Sequence, residues 1–167
     1  MISTLSIIIP AYNEQRTIHL ILDKVRNVTL QGGMKKEIII VNDGSTDDSA
    51  GAVRSYVAAN PDMPIRFIEQ PHNMGKGAAI HRGIQEATGE FLLVQDADLE
   101  YDPQEYHDLL KPVLAGVADV VYGSRFMGGH PHRILFFWHS IGNKFLTSLS
   151  NAFNNLNLTD METCYKL

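Results

Sequence analysis

Apolar residues fall in short blocks separated by polar turns. Leu5–Pro10 (LSIIIP), Glu37–Asn42 (EIIIVN), Ile65–Glu69 and Phe91–Gln95 are each five or six residues long. Blocks of this length without polar alternation predict strands covered on both faces, as in a parallel sheet. Between them, Asn13–Leu30, Ser49–Ala59 and Gly75–Thr88 read as helices. Ile18, Ile21, Leu22 and Val25 share one helical face, and Ala78, Ala79, Ile80 and Ile84 lie on or near another. Asp102-Pro103-Gln104-Glu105 resembles a capping box with proline at the first helical position. It opens a helix carrying Tyr106, Leu109, Leu110, Val113 and Leu114. A fifth strand is expected at Ala118–Tyr122, then the loop GSRFMGGHPHR, then a last helix over Trp138–Asn155.

This alternation of strand and helix predicts an α/β fold. With no repeat, linker or low-complexity tract, one domain spanning residues 1–167 is expected. The final stretch, TDMETCYKL, ends without a closing element, so the chain reads as the front of a longer protein.

Composition narrows the partners. The 14 basic and 19 acidic residues give a net charge of −5, which disfavours a nucleic-acid binder. The single cysteine, Cys164, excludes an intrachain disulfide and a cysteine-based zinc site. Pro10 closes the first apolar run too early for a signal peptide, and no run has the length of a membrane span. A cytoplasmic location is expected.

In open α/β sheets, ligands gather beyond the carboxyl ends of the strands. Three polar clusters follow strand ends here: PAYNE, NDGSTDD and QDADLE. In an extended segment Asp96 and Asp98 project to the same side, with Ala97 as a small spacer. Two close carboxylates repel unless a proton or cation sits between them, and a hard divalent cation shared with a phosphate is one solution. A helix-capping and turn cluster without metal is the other reading of the same residues.

Asn73-Met74-Gly75-Lys76-Gly77 enters a helix through two glycines, where backbone amides and Lys76 can hold phosphate oxygens. A glycine-rich turn with a solvated lysine is the favoured account of the spacing alone. Asp47 and Asp48 read as turn and cap residues, whereas Asp43 lies directly at a strand end. Arg125, His130, His132 and Arg133 line a loop suited to a second anionic group, arginine through its planar fork. The apolar run Ile134–Trp138 is either core or an aromatic wedge at a membrane surface.

Taken in order, IIIPAYNE, VNDGSTDDS, NMGKGAA, DADLEYDP and GSRFMGG resemble the motifs of GT-A family 2 glycosyltransferases. The likeness is greatest to the polyprenyl-phosphate branch, that of dolichyl-phosphate mannosyltransferase and its undecaprenyl-phosphate relatives. It implies a nucleotide-diphospho-sugar transferase domain, a Rossmann-like α/β/α sandwich with a mostly parallel central sheet. It also implies inverting, metal-dependent transfer of a hexose from a GDP-mannose or UDP-glucose type donor to a polyprenyl phosphate. Pro10, Tyr12, Glu14, Asp43, Lys76 and Asp96 would meet the nucleotide. Asp96, Asp98 and Glu100 would hold Mg²⁺ or Mn²⁺, with Asp98 and Arg125 the residues of catalysis. Arg125 and Arg133 would bind the acceptor phosphate, with the protein peripheral to the cytoplasmic face of a membrane. In that branch glutamine often stands where Glu100 stands here.

Three other functions share parts of this pattern. A family 2 enzyme with a saccharide or other soluble acceptor keeps the donor half and needs a general base. A sugar nucleotidyltransferase would carry a glycine-rich basic segment where PAYNE stands. A non-catalytic nucleotide-sugar binding module would need no metal.

Overall fold

The run TLSIIIPA forms the central strand β1 (Thr4–Ala11), with Leu5 through Ile9 wholly buried. The computed structural model describes residues 4–124 and 137–167. β1 pairs in parallel with β2 (Lys35–Asn42) on one side and β4 (Phe91–Val94) on the other. Ile7 lies opposite Ile38 and Leu93, and Ile8 opposite Ile39 and Val94. β3 (Ile65–Glu69) pairs with the outer edge of β2, giving the order β3-β2-β1-β4.

Both faces of the sheet are apolar, as the unalternating strands require. Leu5, Ile7, Ile9, Ile38 and Ile40 face a large core with α1 (Ile18–Asn27) and α4 (Tyr106–Leu114). α2 (Ser49–Ala59) adds Val53 and Tyr56 to it. The opposite face carries Ile39 and Val41, packed with Ala79 of α3 (Lys76–Glu86). α3 sits tight on β1: a Cβ at Gly83 would lie 2.5 Å from Ile8 Cγ2. The C-terminus of α1 is closed from β2, where Lys36 Nζ donates to the carbonyls of Val25, Arg26 and Val28 at 2.6–2.8 Å.

The expected helices and strands are present with shifted ends, except at two places. α1 begins at Ile18 rather than Asn13, because residues 13–17 form a loop stitched to the segment after β2. Ala118–Tyr122 is not a strand of the sheet. Its one bridge is antiparallel, Tyr122 to Lys166, with reciprocal hydrogen bonds between Val121 and Leu167 at 2.8 and 2.9 Å. The tail lies between this segment and β4, since Val94 N donates to Lys166 O at 3.4 Å. Within TDMETCYKL, Tyr165 and Leu167 are buried in the main core. The last helix, α5, spans Phe137–Asn154.

Glu37 ties three elements together at the other end of the sheet. It accepts from Ser6 Oγ at 2.5 Å, Thr88 N at 2.8 Å and Thr88 Oγ1 at 3.1 Å. Burial alone would raise its pKa. The hydrogen bonds from Ser6 and Thr88 and the charge of Arg66 outweigh burial and hold it below the ordinary 4.5. Its contribution to stability is therefore complete above 4.5 and is lost as pH falls through the lowered native value. Glu37→Gln is expected to cost about 1 kcal/mol near neutral pH, a modest figure because the group is partly exposed. It should also flatten the acid side of the stability profile. Denaturant unfolding across that pH range reads both effects.

Candidate functional site

The winding of the sheet places the site. From β1 the chain moves outward through β2 to β3, and α3 then carries it back to β4 on the other side of β1. Such a switch point opens a crevice at the carboxyl ends of the strands. A cleft of about 300 Å³ lies there. It is lined by Pro10 near the end of β1, Tyr12 and Glu14 just after it, Asp43 after β2, Lys76 at the start of α3, and Asp96 and Asp98 after β4. The three polar clusters of the sequence thus meet in one place.

The wall formed by the first two clusters is rigidly built. Asn13, at φ +58°, accepts from Thr46 N at 2.8 Å through its Oδ1, while its own N–H donates to Ser45 Oγ at 3.0 Å. Glu14 N donates to Ser49 Oγ at 2.8 Å, and Gln15 N to Asp47 Oδ2 at 3.2 Å. Asp47 therefore serves as a turn residue. Desolvation pushes its carboxyl up, but the hydrogen bonds from Ser49 and Gln15 hold it below its ordinary value.

Asp43 is 3% exposed and its carboxylate is heavily engaged. Oδ1 accepts from Gln70 Nε2 at 2.9 Å and Met74 N at 2.8 Å, and Oδ2 accepts from Gly75 N at 2.8 Å. Two of the amides expected to cradle a phosphate at NMGKG are thus given to Asp43. The cation of that segment turns inward as well: Lys76 Nζ lies 2.5 Å from Asp96 Oδ1. Desolvation would lower the Lys76 pKa, but the hydrogen bond and charge of Asp96 outweigh it and raise it, so the ammonium is retained.

The acidic cluster after β4 is not an extended segment. The strand ends at Val94, and the chain turns over Ala97–Asp98, with Leu99 at φ +65°. Asp98 is exposed and its Oδ1 accepts from Glu100 N at 3.1 Å. Asp102 caps the short 3-10 turn Pro103–Glu105, accepting from Gln104 N at 3.1 Å. Glu100 is not among the residues lining the cleft. The four carboxylates therefore separate: Asp96 and Asp98 face the cleft, and Asp102 serves a helix start. Among the described residues, no group of three His, Cys, Asp or Glu side chains is arranged to hold a metal by itself. Two cleft carboxylates, one of them exposed, suit a cation that completes its shell with phosphate oxygens and water.

Arg125, Arg133, His130, His132 and Ile134–Phe136 lie outside the described residues. Trp138, next to them on α5, is 76% exposed. No helix among the described residues is long and apolar enough to cross a membrane.

Behind the cleft, Tyr106 and Tyr165 carry no signal as functional positions in the motifs above, and Gln95 enters them only as the first residue of QDADLE. The one local hint is a glutamine closing an otherwise apolar strand, FLLVQ.

Comparison with known proteins agrees with this geometry. Residues 6–165 match the model of the family described as Glycosyl transferase family 2. The dolichyl-phosphate beta-glucosyltransferase of Dictyostelium discoideum is 36% identical over 129 residues, covering 72% of this chain and 39% of that enzyme. The chain spans about a third of the length of the curated relatives it matches. Among solved structures, glucosyl-3-phosphoglycerate synthase from Mycobacterium tuberculosis, with Mn²⁺, UDP and phosphoglyceric acid, superposes with a TM-score of 0.70 at 21% identity. That likeness covers 98% of this chain and 55% of that one, and shows the α/β GT-A-like fold. A mannosyltransferase from Pyrobaculum calidifontis, in complex with GDP-Man and Mn²⁺, is 30% identical with a TM-score of 0.52. It covers 56% of this chain and 27% of the other.

Proposed function

The chain belongs to glycosyl transferase family 2 and is related to dolichyl- and undecaprenyl-phosphate sugar transferases, and we propose on that basis that its cleft binds a nucleotide-diphospho-sugar for inverting hexose transfer. The observation that carries the proposal is the convergence of Asp43, Lys76, Asp96 and Asp98 on one cleft at the switch point of the sheet. Pro10, Tyr12, Glu14 and Asp43 form the side that takes the nucleoside. Asp96 and Asp98 face the diphosphate and would hold Mg²⁺ or Mn²⁺ there, with Glu100 behind them on the same turn. A bound divalent cation supplies Lewis-acid neutralisation of the departing diphosphate. Lys76 restrains Asp96 and adds positive charge beside the phosphates.

On the acceptor side, Arg125 and Arg133 orient a phosphate, and the acceptor proposed is a polyprenyl phosphate at a membrane surface. Its oxygen is already ionised near neutral pH, so attack on the anomeric carbon needs no dedicated base. The donor half serves equally a second reading, transfer to a saccharide or another soluble acceptor. The two readings part at Arg125.

Arg125→Ala is expected to raise the KM for a polyprenyl-phosphate acceptor about 10–100-fold, the loss of one charge-assisted phosphate contact, while nucleotide affinity stays unchanged. Transfer of labelled sugar to polyprenyl phosphate and to soluble acceptors in parallel tests this. Label found only in soluble saccharide, insensitive to Arg125, would select the second reading.

A further inference from the structure

A carboxamide buried at the end of an apolar strand costs free energy unless its polar atoms are partnered. Gln95 is 0% exposed and hydrogen-bonded through both its nitrogen and its oxygen. Its Nε2 donates to the Asp96 carbonyl at 3.0 Å. Its Oε1 accepts from Tyr106 Oη at 2.7 Å and from Tyr165 Oη at 3.0 Å. Tyr106 and Tyr165 are 0% and 2% exposed, and burial, reinforced by nearby acidic groups, pushes both hydroxyls above the ordinary tyrosine range. They remain protonated donors, so Oε1 is claimed on both lone pairs and Nε2 is left facing the Asp96 carbonyl.

Three distant stretches meet at this point: the end of β4, the first residue of α4 and the tail. The ladder between β4 and β1 ends with Gln95 N donating to Ile8 O at 2.9 Å. The Asp96 carbonyl is the next anchored backbone group, and the turn bearing Asp98 and Leu99 follows directly. The tail holds that turn at its far end too. Cys164 N donates to Tyr101 Oη at 3.2 Å, and the Tyr165 ring lies 4.8 Å from the Tyr101 ring and 5.9 Å from that of Tyr106.

We propose that Gln95, locked by Tyr106 and Tyr165, is a positioning residue that fixes the backbone of the Asp96–Asp98 turn, so that the tail sets from behind how the two carboxylates meet a donor diphosphate. This deepens the donor-site reading above and rests on it. The triangle touches no substrate. Its effect is to hold the turn in one conformation before ligand arrives, in the way outer partners of metal ligands restrict their orientation.

The test is the combined variant Gln95→Leu/Tyr106→Phe/Tyr165→Phe. Removing the three side-chain polar groups together leaves none of them unpaired and keeps the aromatic packing, so that only the Asp96 carbonyl loses its donor and the fold is expected to hold. Amide hydrogen exchange over residues 96–100 should then accelerate about tenfold while the strands keep their protection. Affinity for UDP or GDP measured with Mn²⁺ should fall about 10–100-fold, with metal-free affinity unchanged. Unaltered exchange at 96–100 would overturn the positioning role, whether or not the wild-type chain binds nucleotide. Faster exchange with unchanged Mn²⁺-dependent affinity would overturn the link to the donor. A wild-type chain that binds neither nucleotide would instead sink the donor-site reading, and the exchange result would still decide whether Gln95 positions the turn. Should the triple variant not fold, Tyr165→Phe alone carries the same exchange comparison.

Discussion

Asp98→Ala is expected to abolish the metal-dependent part of nucleotide binding and to leave the fold intact. The side chain is exposed at the cleft, and its carboxylate carries one short-range hydrogen bond, from Glu100 N at 3.1 Å. Losing that bond costs about 1 kcal/mol at most. Losing a cation ligand costs far more, because removal even of the groups that orient such a ligand lowers affinity about 10–100-fold. Nucleotide affinity in Mn²⁺ should therefore drop by at least about 100-fold, to its metal-free level. Asp98→Asn separates the two roles, since an amide oxygen can still accept from Glu100 N but no longer carries the charge. If the asparagine variant binds nucleotide as the wild type does, Asp98 is a turn residue and not a cation ligand. Isothermal titration with and without Mn²⁺ reads all three proteins.

Gly44→Ala should be the most damaging single change near the cleft. Gly44 sits at φ +63°, and a Cβ there would stand 2.4 Å from the His72 carbonyl carbon and 2.6 Å from Asn73 N. Both neighbours are backbone, so no side chain can swing aside. The left-handed conformation costs an alanine about 1–2 kcal/mol, and the forced separation of the two loops about 1–3 more. Those loops are the ones Asp43 joins through Gln70, Met74 and Gly75. The variant should lose about 2–5 kcal/mol in denaturant unfolding. It should also bind nucleotide weakly even where it remains folded. An unfolding midpoint within error of wild type would show that the 43–45 turn and the 72–75 loop are not held against each other as described.

The cleft itself was legible because its signals are local. Short aliphatic runs ending in PAYNE, NDGSTDD and QDADLE place three strand ends on one edge of a parallel sheet, and the structure brings those edges together. What was not legible is non-local. Ala118–Tyr122 has strand composition, yet its partner is Lys166 and not another long strand, and Val120 remains 64% exposed. Asp96, Asp98, Glu100 and Asp102 fall at every second position, as an extended row of acids would. A left-handed Leu99 breaks that row, and no residue type announces a leucine in that conformation. Of the two readings of NMGKG, the open phosphate cradle gives way to a turn whose amides are taken by Asp43, a carboxylate more than thirty residues away in sequence from Gly75. The place of Tyr165 was not legible either, because the tail folds back alongside β4 and sets its ring beside Tyr106 and Gln95, contacts that nothing within TDMETCYKL announces.

The central claim is that the cleft at the carboxyl edge of β1, β2 and β4 is a metal-assisted nucleotide-sugar site. Its most direct test is a thermal-shift titration of the chain with UDP and with GDP, each in the presence and absence of Mn²⁺. A ligand held only by the folded state adds about 2.7 kcal/mol at 100 times its dissociation constant, well within the range of such a measurement. A rise in Tm is expected with one of the two nucleotides, requiring the metal and disappearing in Asp98→Ala. Absence of a metal-dependent shift with either nucleotide would contradict it.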